Sequence, residues 1–322
     1  MLNDLMTSSY PFIPATTYSI LAHDPDANQW GVAVQSHYFG TGRVVTWAEA
    51  GVGAVATQSM VEVSYGPLGL SLMRAGKSAS QSLSGLLAAD PNSAVRQVAM
   101  IDAQGNVAAH TGAKCIDEAG HRTGNYYSVQ ANMMLNNTVW VAMSEAYESA
   151  SGDLAERMML ALEAAEDHGG DIRGKQSAAM LVVGGNTTGT PWQSRLFDLR
   201  VDDNPTPLVE LRRLLGIGRA YALSNEAAAI GRNESLGDAR FNMARAKFEE
   251  AMHYTQQMPG NMEIPFWTAV ELASLGQWEA ATPLFKMIFS VDPAWRELIR
   301  RLPKAGRLSD SPEVVERIIS IT

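Results

Sequence analysis

Two adjacent threonines, Thr16 and Thr17, stand at the point where the first predicted strand of the chain begins. A threonine in this position can be an ordinary strand-forming residue, because its branched side chain favours extended backbone. It can also be a nucleophile, provided that the chain ahead of it is removed. The residue types alone leave both interpretations open.

A glycine loop later in the chain carries a second group of polar residues. The sequence GGDIRGK begins at residue 169 and is followed by Gln176, which stands where a P-loop needs Ser or Thr for magnesium. A predicted helix precedes this loop and a strand follows it, the reverse of the P-loop order, so a nucleotide site is disfavoured. Asp171 and Arg173 can either pair to brace the loop or present a carboxylate and a guanidinium to a polar substrate.

Histidine and cysteine residues give a weaker signal. His110, Cys115 and His121 lie along one polar loop, but their spacing matches no usual zinc pattern, and we expect no metal site and no cofactor. Cys115 is the only cysteine of the chain, so no intrachain disulfide can form. His37 follows the second predicted strand, where it can face the same cavity as the threonines.

The composition limits the class of protein. Hydrophobic residues make up 46% of the 322 residues and charged residues 18%, which predicts a sizeable core and argues against disorder. The formal net charge is −9 and no basic stripe is present, so nucleic acid is not an expected partner. No apolar run reaches the ~18 residues that span a membrane, and the N-terminus lacks the features of a secretory signal. We therefore expect a bacterial-type cytoplasmic protein with no membrane contact.

The pattern up to about residue 217 mixes strands and helices. Apolar alternation around turn residues predicts two hairpins, over residues 16–36 and 95–112. Further strands are predicted over residues 50–60, 126–135, 175–185 and 195–203, and helices over residues 66–76, 78–91, 139–149, 153–170 and 205–217, with Ser78 as an N-cap. Strands in hairpins and helices in blocks favour an α+β fold, with antiparallel sheets covered by helical layers.

Beyond about residue 217 the predicted strands stop and the chain is helical to its end. Small, turn, aromatic and proline residues occur there near the spacing of the 34-residue tetratricopeptide repeat. They are Ala269, Gly276, Ala281, Phe285 and Pro293, with a weaker echo at Ala244, Phe248 and Ala251. Two imperfect copies are too few for a free-standing solenoid, so residues 218–322 are predicted to form a helical tetratricopeptide-like domain.

Six segments of the chain carry a family resemblance. In order they are YSILAHD, WGVAVQS, AGVGAVATQSMVEVSYGPLGL, RQVAMIDAQGNVAAHTG, GGDIRGKQSAAMLVV and LRVDDNPTPLVELRRLL. Together they resemble the bacterial and archaeal family catalogued as domain of unknown function ten-twenty-eight, roughly over residues 17–217. The resemblance implies the fold of the N-terminal nucleophile (Ntn) hydrolases, a four-layer αββα sandwich in which helices enclose two stacked antiparallel sheets, here with an all-α C-terminal extension.

The resemblance also implies a site. In an Ntn hydrolase the first residue of the first strand, Thr17 here, is the nucleophile, and its own α-amino group takes the hydroxyl proton. The residues implied to shape the pocket or hold the substrate are Gln35, Ser36, His37, Thr57, Gln58, Asp171, Arg173 and Gln176. Sixteen residues precede Thr17 as an N-terminal extension, residues 1–16. Unless they are cut off, Thr17 has a peptide nitrogen instead of an amine, and this mechanism cannot operate.

Two functions of different classes are open. One is a hydrolase of a small amide or peptide-like substrate that uses the Thr17 site. The alternative is a non-catalytic ligand-binding or scaffold module whose helical tail mediates homo-oligomerisation, as a dimer, or docks a partner. In that case Trp278 and Trp295 would form a contact surface, although they can equally attach the tail to the main domain.

Overall fold

The computed structural model of the chain describes Ala15, residues 17–185 and residues 190–322. The predicted N-terminal extension therefore lies outside the described residues except for Ala15. The chain divides into two compact units, Met1–Arg212 and Arg213–Thr322. In the described part of the chain, all strands belong to the first unit, and the second unit is helical.

The first unit contains two antiparallel sheets. Its strands are β1 (Thr17–Asp24), β2 (Gln29–Ser36), β3 (Thr46–Glu49), β4 (Gly53–Ser59), β5 (Arg96–Asp102), β6 (Val107–Thr111), β7 (Gly120–Gly124), β8 (Tyr127–Ala131), β9 (Ser177–Gly184) and β10 (Arg195–Val201). The six-stranded sheet has the order β10-β9-β2-β1-β8-β7, and the four-stranded sheet has the order β3-β4-β5-β6. The central strand β1 pairs with β2 in a register that sets Thr17 opposite Ser36.

Helices accompany both units. Those of the first unit are α1 (Gly42–Val45), α2 (Tyr65–Arg74), α3 (Ala79–Ala89), α4 (Val139–Ser149) and α5 (Leu154–Asp167). Helix α6 (Pro207–Arg232) begins in the first unit and ends in the second. The second unit continues with α7 (Ala239–Tyr254), α8 (Glu263–Ser274), α9 (Trp278–Val291), α10 (Trp295–Arg301) and α11 (Pro312–Ile319).

The two sheets pack face to face. Because side chains alternate along a strand, each sheet presents every second residue to the other. Leu21, Val32 and Leu181 of the six-stranded sheet are buried in one cluster with Ala56 and Ile101 of the four-stranded sheet. This apolar layer fills most of the space between the sheets and leaves the end that contains Thr17 for polar residues.

Helices cover the outer faces of the sheets. Helix α5 packs closely on β2, and a side chain at Gly31 would meet the flexible end of Met158, which would have to move aside. Helix α4 contacts β8, and α2 and α3 pack Leu70 and Leu83 against Val98 of the four-stranded sheet. The first unit therefore has four layers, with a pair of helices outside each sheet.

The mixed α and β composition, the antiparallel sheets and the helical C-terminal region predicted from the sequence are confirmed. Ser78 caps α3 as predicted, since its side chain accepts from the Gln81 amide and the Gln81 side chain accepts from Ser78 in return. Strands β3 and β7 were not predicted. The first has four residues, and the second, GHRTG, is rich in glycine and polar residues that strands disfavour.

One helix boundary also differs from the prediction. The helix expected to end near residue 217 continues to Arg232 as α6. Gly216 and Gly218 lie inside it, and each costs the helix only about 1 kcal/mol relative to alanine, which is too little to stop it. No helix in the described part of the chain is both long and apolar enough to cross a membrane.

The second unit has its own apolar core. The repeat-like positions Ala244, Phe248, Ala251, Ala269, Ala281 and Phe285 are all buried, and Gly276 makes the turn between α8 and α9 with φ +74°. Trp278 and Trp295 are partly buried against this core. The Arg317 guanidinium lies 3.8 Å from the centre of the Trp278 ring, and the Phe266 ring lies 4.7 Å from that of Trp295. Both tryptophans are thus partners of their own unit.

Candidate functional site

The site is built around the first residue of β1. Thr17 is fully buried, and alternation along the strand directs its side chain, with that of Ser19, toward the four-stranded sheet. Its hydroxyl donates to the Ala15 carbonyl oxygen at 2.7 Å, and the Ser36 hydroxyl oxygen lies 3.2 Å away. Because a hydroxyl carries one proton, the shorter contact to Ala15 takes most of it, and the Ser36 oxygen is a weaker second acceptor.

The segment before Thr17 is held by the other sheet. Ala15 is fully buried and forms an isolated antiparallel bridge with Ser59, whose backbone N–H donates to the Ala15 carbonyl at 2.9 Å. Ser59 ends β4 with φ +70°, a conformation that costs a non-glycine residue about 1–2 kcal/mol. Ala15 therefore pairs with the four-stranded sheet, whereas Thr17 begins a strand of the six-stranded sheet.

Amide side chains fix the backbone of Thr17. The Thr17 carbonyl accepts from the Asn132 backbone N–H at 3.1 Å and from the Gln58 side-chain amide at 3.2 Å. Both side chains also donate to Gln97 Oε1, Gln58 at 2.7 Å and Asn132 at 2.9 Å. Gln58, Gln97 and Asn132 are all fully buried. These three residues come from β4, β5 and the end of β8, so the network links both sheets behind Thr17.

The network continues along the inner face of the six-stranded sheet. Ser19 donates to Gln58 Oε1 at 2.6 Å, and the Gln130 side-chain amide donates to the Ser19 hydroxyl at 2.6 Å. Ser128 in turn donates to Gln130 Oε1 at 2.9 Å. Sequence reasoning named only Gln58 of this set. The available signal was polar residues at alternate positions of strands that are otherwise apolar, as in Ser128–Gln130.

One buried acceptor in this network has no partner among the described residues. It is the Asn132 side-chain oxygen, and an unsatisfied buried polar atom costs about 1–3 kcal/mol. The N–H and the C=O of a strand residue point to the same side, and the Thr17 carbonyl accepts from Asn132. The nitrogen of Thr17 therefore also faces Asn132. The peptide N–H of Thr17 does not bond to the vacant oxygen, which stays an open acceptor on this side of β1.

The predicted pocket residues at the strand ends divide between two faces. Ser36 is beside Thr17 and Gln58 supports its carbonyl, as described above. Gln35 points to the opposite face of its sheet, where both atoms of its buried amide have no partner among the described residues. Thr57 points away from the sheet interface, and its hydroxyl donates to the Glu62 carbonyl at 3.1 Å. Neighbouring residues of one strand cannot share a cavity between sheets.

The glycine-loop residues form a brace. The buried Asp171 carboxylate accepts from the Arg173 guanidinium at 3.0 and 2.7 Å and from the Arg173 backbone N–H at 2.9 Å. It also accepts from the backbone N–H of His37 at 3.2 Å, which ties the loop to the end of β2. Gln176 donates to Asp203 at 3.1 Å and is not directed at Thr17. Of the two interpretations of this loop, the geometry favours the structural pairing.

His110, His121 and Cys115 each have a local hydrogen-bond partner. His110 contacts the Ser93 carbonyl at 2.9 Å, and His121 contacts the Thr111 hydroxyl at 2.8 Å. Cys115 is buried and donates to the Arg96 carbonyl at 3.4 Å, and burial raises the pKa of its thiol, which disfavours the thiolate. The described residues contain no cluster of His, Cys, Asp and Glu that could hold a metal ion.

Comparison with known proteins identifies a family whose function is unknown. The model of a family described as "Family of unknown function (DUF1028)" matches residues 17–211, which confirms the resemblance found in the sequence. The crystal structure of protein SPO2555 from Silicibacter pomeroyi, of the same family, is 31% identical over 62% of this chain and 88% of its own, with a TM-score of 0.56. No curated protein matches the chain. The match begins at the residue on which the site is centred.

Proposed function

This chain belongs to the family of unknown function DUF1028, and we propose that it hydrolyses a small amide or peptide-like substrate with Thr17 as an N-terminal nucleophile. The observation that carries the proposal is the placement of the Thr17 hydroxyl. It is buried at the end of the space between two sheets, beside a second hydroxyl, and the carbonyl of the same residue is fixed by Gln58 and Asn132. The four-layer arrangement is the one expected for an Ntn hydrolase and supports the same conclusion.

The chemistry starts once Thr17 is the first residue. A free α-amino group has a pKa of about 7.7–8.0, and burial favours its neutral form, so it can act as a base near neutral pH. The amine takes the hydroxyl proton as Thr17 Oγ attacks the substrate carbonyl carbon, and the departing nitrogen receives that proton when the C–N bond breaks. Water then hydrolyses the ester, releasing a carboxylic acid and restoring the hydroxyl.

The surrounding side chains have defined roles in this proposal. The unpartnered Asn132 oxygen accepts from the new amine and orients its lone pair toward the hydroxyl. The Ser36 oxygen lies 3.2 Å from the Thr17 hydroxyl, as an acceptor, and helps to hold that hydroxyl in place. The amide network makes these positions rigid before substrate arrives, and pre-positioned groups are a major source of catalysis.

Removal of residues 1–16 can use the same nucleophile. Attack of Thr17 Oγ on the carbonyl carbon of the preceding residue, with transfer of the hydroxyl proton to the nitrogen, converts the peptide bond into an ester and frees the amine. Hydrolysis of that ester releases the segment. The Thr17 hydroxyl already contacts this segment, through the Ala15 carbonyl at 2.7 Å.

Intact-mass spectrometry of the purified chain tests the proposal. We expect a loss equal to the mass of residues 1–16, which Thr17→Ala abolishes and Thr17→Ser retains. Thr16→Ala is the matched control, because it changes the neighbouring threonine and leaves the nucleophile in place. Should no loss occur, a chain that begins at Thr17 is assayed against a panel of amides, and an inert protein there refutes the proposal.

A second candidate function rests on the C-terminal unit. A cavity of about 400 Å³ lies there, lined by Trp267, Glu263 and Arg307 among others. Its lining holds guanidinium and carboxylate groups side by side, Arg232 and Arg307 with Glu263 and Glu271, which suits a polar ligand of mixed charge. In this alternative the tetratricopeptide-like helices bind a ligand or partner, and the first unit is a scaffold. This alternative predicts that Arg307→Ala loses partner capture, or loses dimers in light scattering. It also predicts that neither the wild-type protein nor the variant hydrolyses amides.

A further inference from the structure

Ala15, two residues before Thr17, is fixed by hydrogen bonds in the site. Ala15 is fully buried, and its carbonyl accepts two hydrogen bonds, from Ser59 N–H at 2.9 Å and from the Thr17 hydroxyl at 2.7 Å. These contacts resemble the addition of one more strand to the end of β4. Backbone contacts of this kind do not depend on which side chains the segment carries.

The ester formed during self-cleavage links this position to substrate binding. In that ester, the acyl group on Thr17 Oγ is the segment that ends in Thr16. In turnover, the acyl group on the same oxygen is the acyl part of the substrate. The two intermediates carry their acyl chains on the same oxygen atom, so once residues 1–16 are removed the position of Ala15 is available to the second residue of the substrate's acyl side.

We propose that the substrates are peptides or N-acyl amides whose second residue before the cleaved bond is small and offers its carbonyl to Ser59. This inference rests on the proposed function of Thr17. It assigns a subsite, made by the end of β4, that selects alanine-sized side chains. Peptides with a large residue at this second position are expected to be poor substrates.

The residues around Ser59, at the end of β4, are tightly packed. Ser59 is opposite Arg96 in the β4–β5 ladder, and the Arg96 guanidinium is buried and paired with Asp90 at 2.8 Å. The Cys115 thiol hydrogen-bonds to the Arg96 carbonyl and faces Ser59. Ala15 is the cross-strand partner of Ser59, and partners in a sheet place their side chains on the same face, so a larger side chain at the Ala15 position would be directed toward this packed region. Overpacking of that kind is disfavoured.

Two isomeric substrates test the inference. Acetyl-Leu-Ala-Thr-p-nitroanilide and acetyl-Ala-Leu-Thr-p-nitroanilide have identical composition and exchange Leu and Ala between the second and third positions before the cleaved bond. They are assayed with a chain that begins at Thr17, a deletion that removes no described helix or strand and matches the start of the family. We expect the first to have a kcat/KM about 5- to 140-fold higher. Thr17→Ala should abolish both rates.

Binding separates this inference from the proposed function. Fluorescein-labelled Leu-Ala-Thr and Ala-Leu-Thr acids are titrated by fluorescence polarisation, which needs no turnover. Tighter binding of the first acid without any hydrolysis would retain the subsite and refute the hydrolase. Hydrolysis at equal rates, or equal binding of the two acids, would overturn the subsite, and the absence of both binding and hydrolysis would overturn both. In the full chain, Ala15→Leu should slow self-cleavage by the same factor, with Ala15→Ser as its control.

Discussion

Replacing Gln58 by methionine tests how much the buried amide network stabilises the first unit. Methionine has nearly the same shape but neither donates nor accepts strongly. The change removes the 2.7 Å bond to Gln97 and the 2.6 Å bond from Ser19, and it weakens the support of the Thr17 carbonyl. The Ser19 hydroxyl then loses the acceptor for its proton in a fully buried place.

The magnitude follows from these losses. Two hydrogen bonds are worth about 0.5–1.5 kcal/mol each, and a buried donor without a partner costs about 1–3 kcal/mol. Methionine recovers part of this through its apolar contacts, so we expect the free energy of unfolding to fall by about 2–4 kcal/mol. Gln176→Met is the matched control, because Gln176 makes a single exposed contact with Asp203, and a change within about 0.5 kcal/mol is expected there.

The assay must report on the first unit alone, since a chain with two units need not unfold in one step. Urea titrations followed by hydrogen-exchange mass spectrometry on peptides from β1, β4 and β5 meet this need. A Gln58→Met protein whose β1 peptides open with the wild-type free energy would refute the reasoning, because the network would then contribute nothing net. The same variant should also slow release of residues 1–16.

Two further predictions concern buried charge. Arg96→Met leaves Asp90 without its cation, and because the Arg96 side chain is only 2% exposed, we expect the free energy of unfolding to fall by about 3–5 kcal/mol in a urea titration. Arg301→Met, at an exposed ion pair, is the control and should change it by less than about 1 kcal/mol. Equal effects of the two variants would contradict this reasoning. Burial lowers the pKa of His23 below the usual 6.5, so the unfolded chain binds the proton first and the stability present above pH 6.5 is lost as the pH falls. An NMR titration that places the His23 pKa at or above 6.5 would contradict this.

Local features of the fold could be predicted from the sequence because their causes are local. The β1–β2 hairpin follows from two alternating segments around a turn, and the Ser78 cap follows from Ser and Gln three residues apart. Strand β7 could not be predicted in the same way, because GHRTG has little strand preference of its own. It is a strand because β8 offers it a partner.

The candidate site shows where sequence reasoning fails in physical terms. The sequence predicts that Gln35 with Ser36, and Thr57 with Gln58, shape one pocket. Because side chains alternate along a strand, one member of each pair has to point away from the space between the sheets. Asn132 was missed because it reaches Thr17 across 115 residues of chain. Only the stacking of two sheets brings such residues together, and no local pattern encodes that stacking.

Strained backbone and an unsatisfied hydrogen-bond acceptor near Thr17 cost folding free energy, which argues that these residues have a role other than stability. Ser59 and Met133 both have positive φ values, at +70° and +58°, and they flank the bridge to Ala15 and the amide of Asn132. Each costs about 1–3 kcal/mol and persists only when its surroundings enforce it. The Asn132 oxygen adds an unsatisfied acceptor in the same place. An apolar core would fill this end of the sheets more stably, as it does around Leu21. Strain at Ser59 and Met133, an open acceptor at Asn132 and a buried hydroxyl at Thr17 lie close together, and we infer that they serve the proposed nucleophile, since a threonine that only forms strand requires none of them.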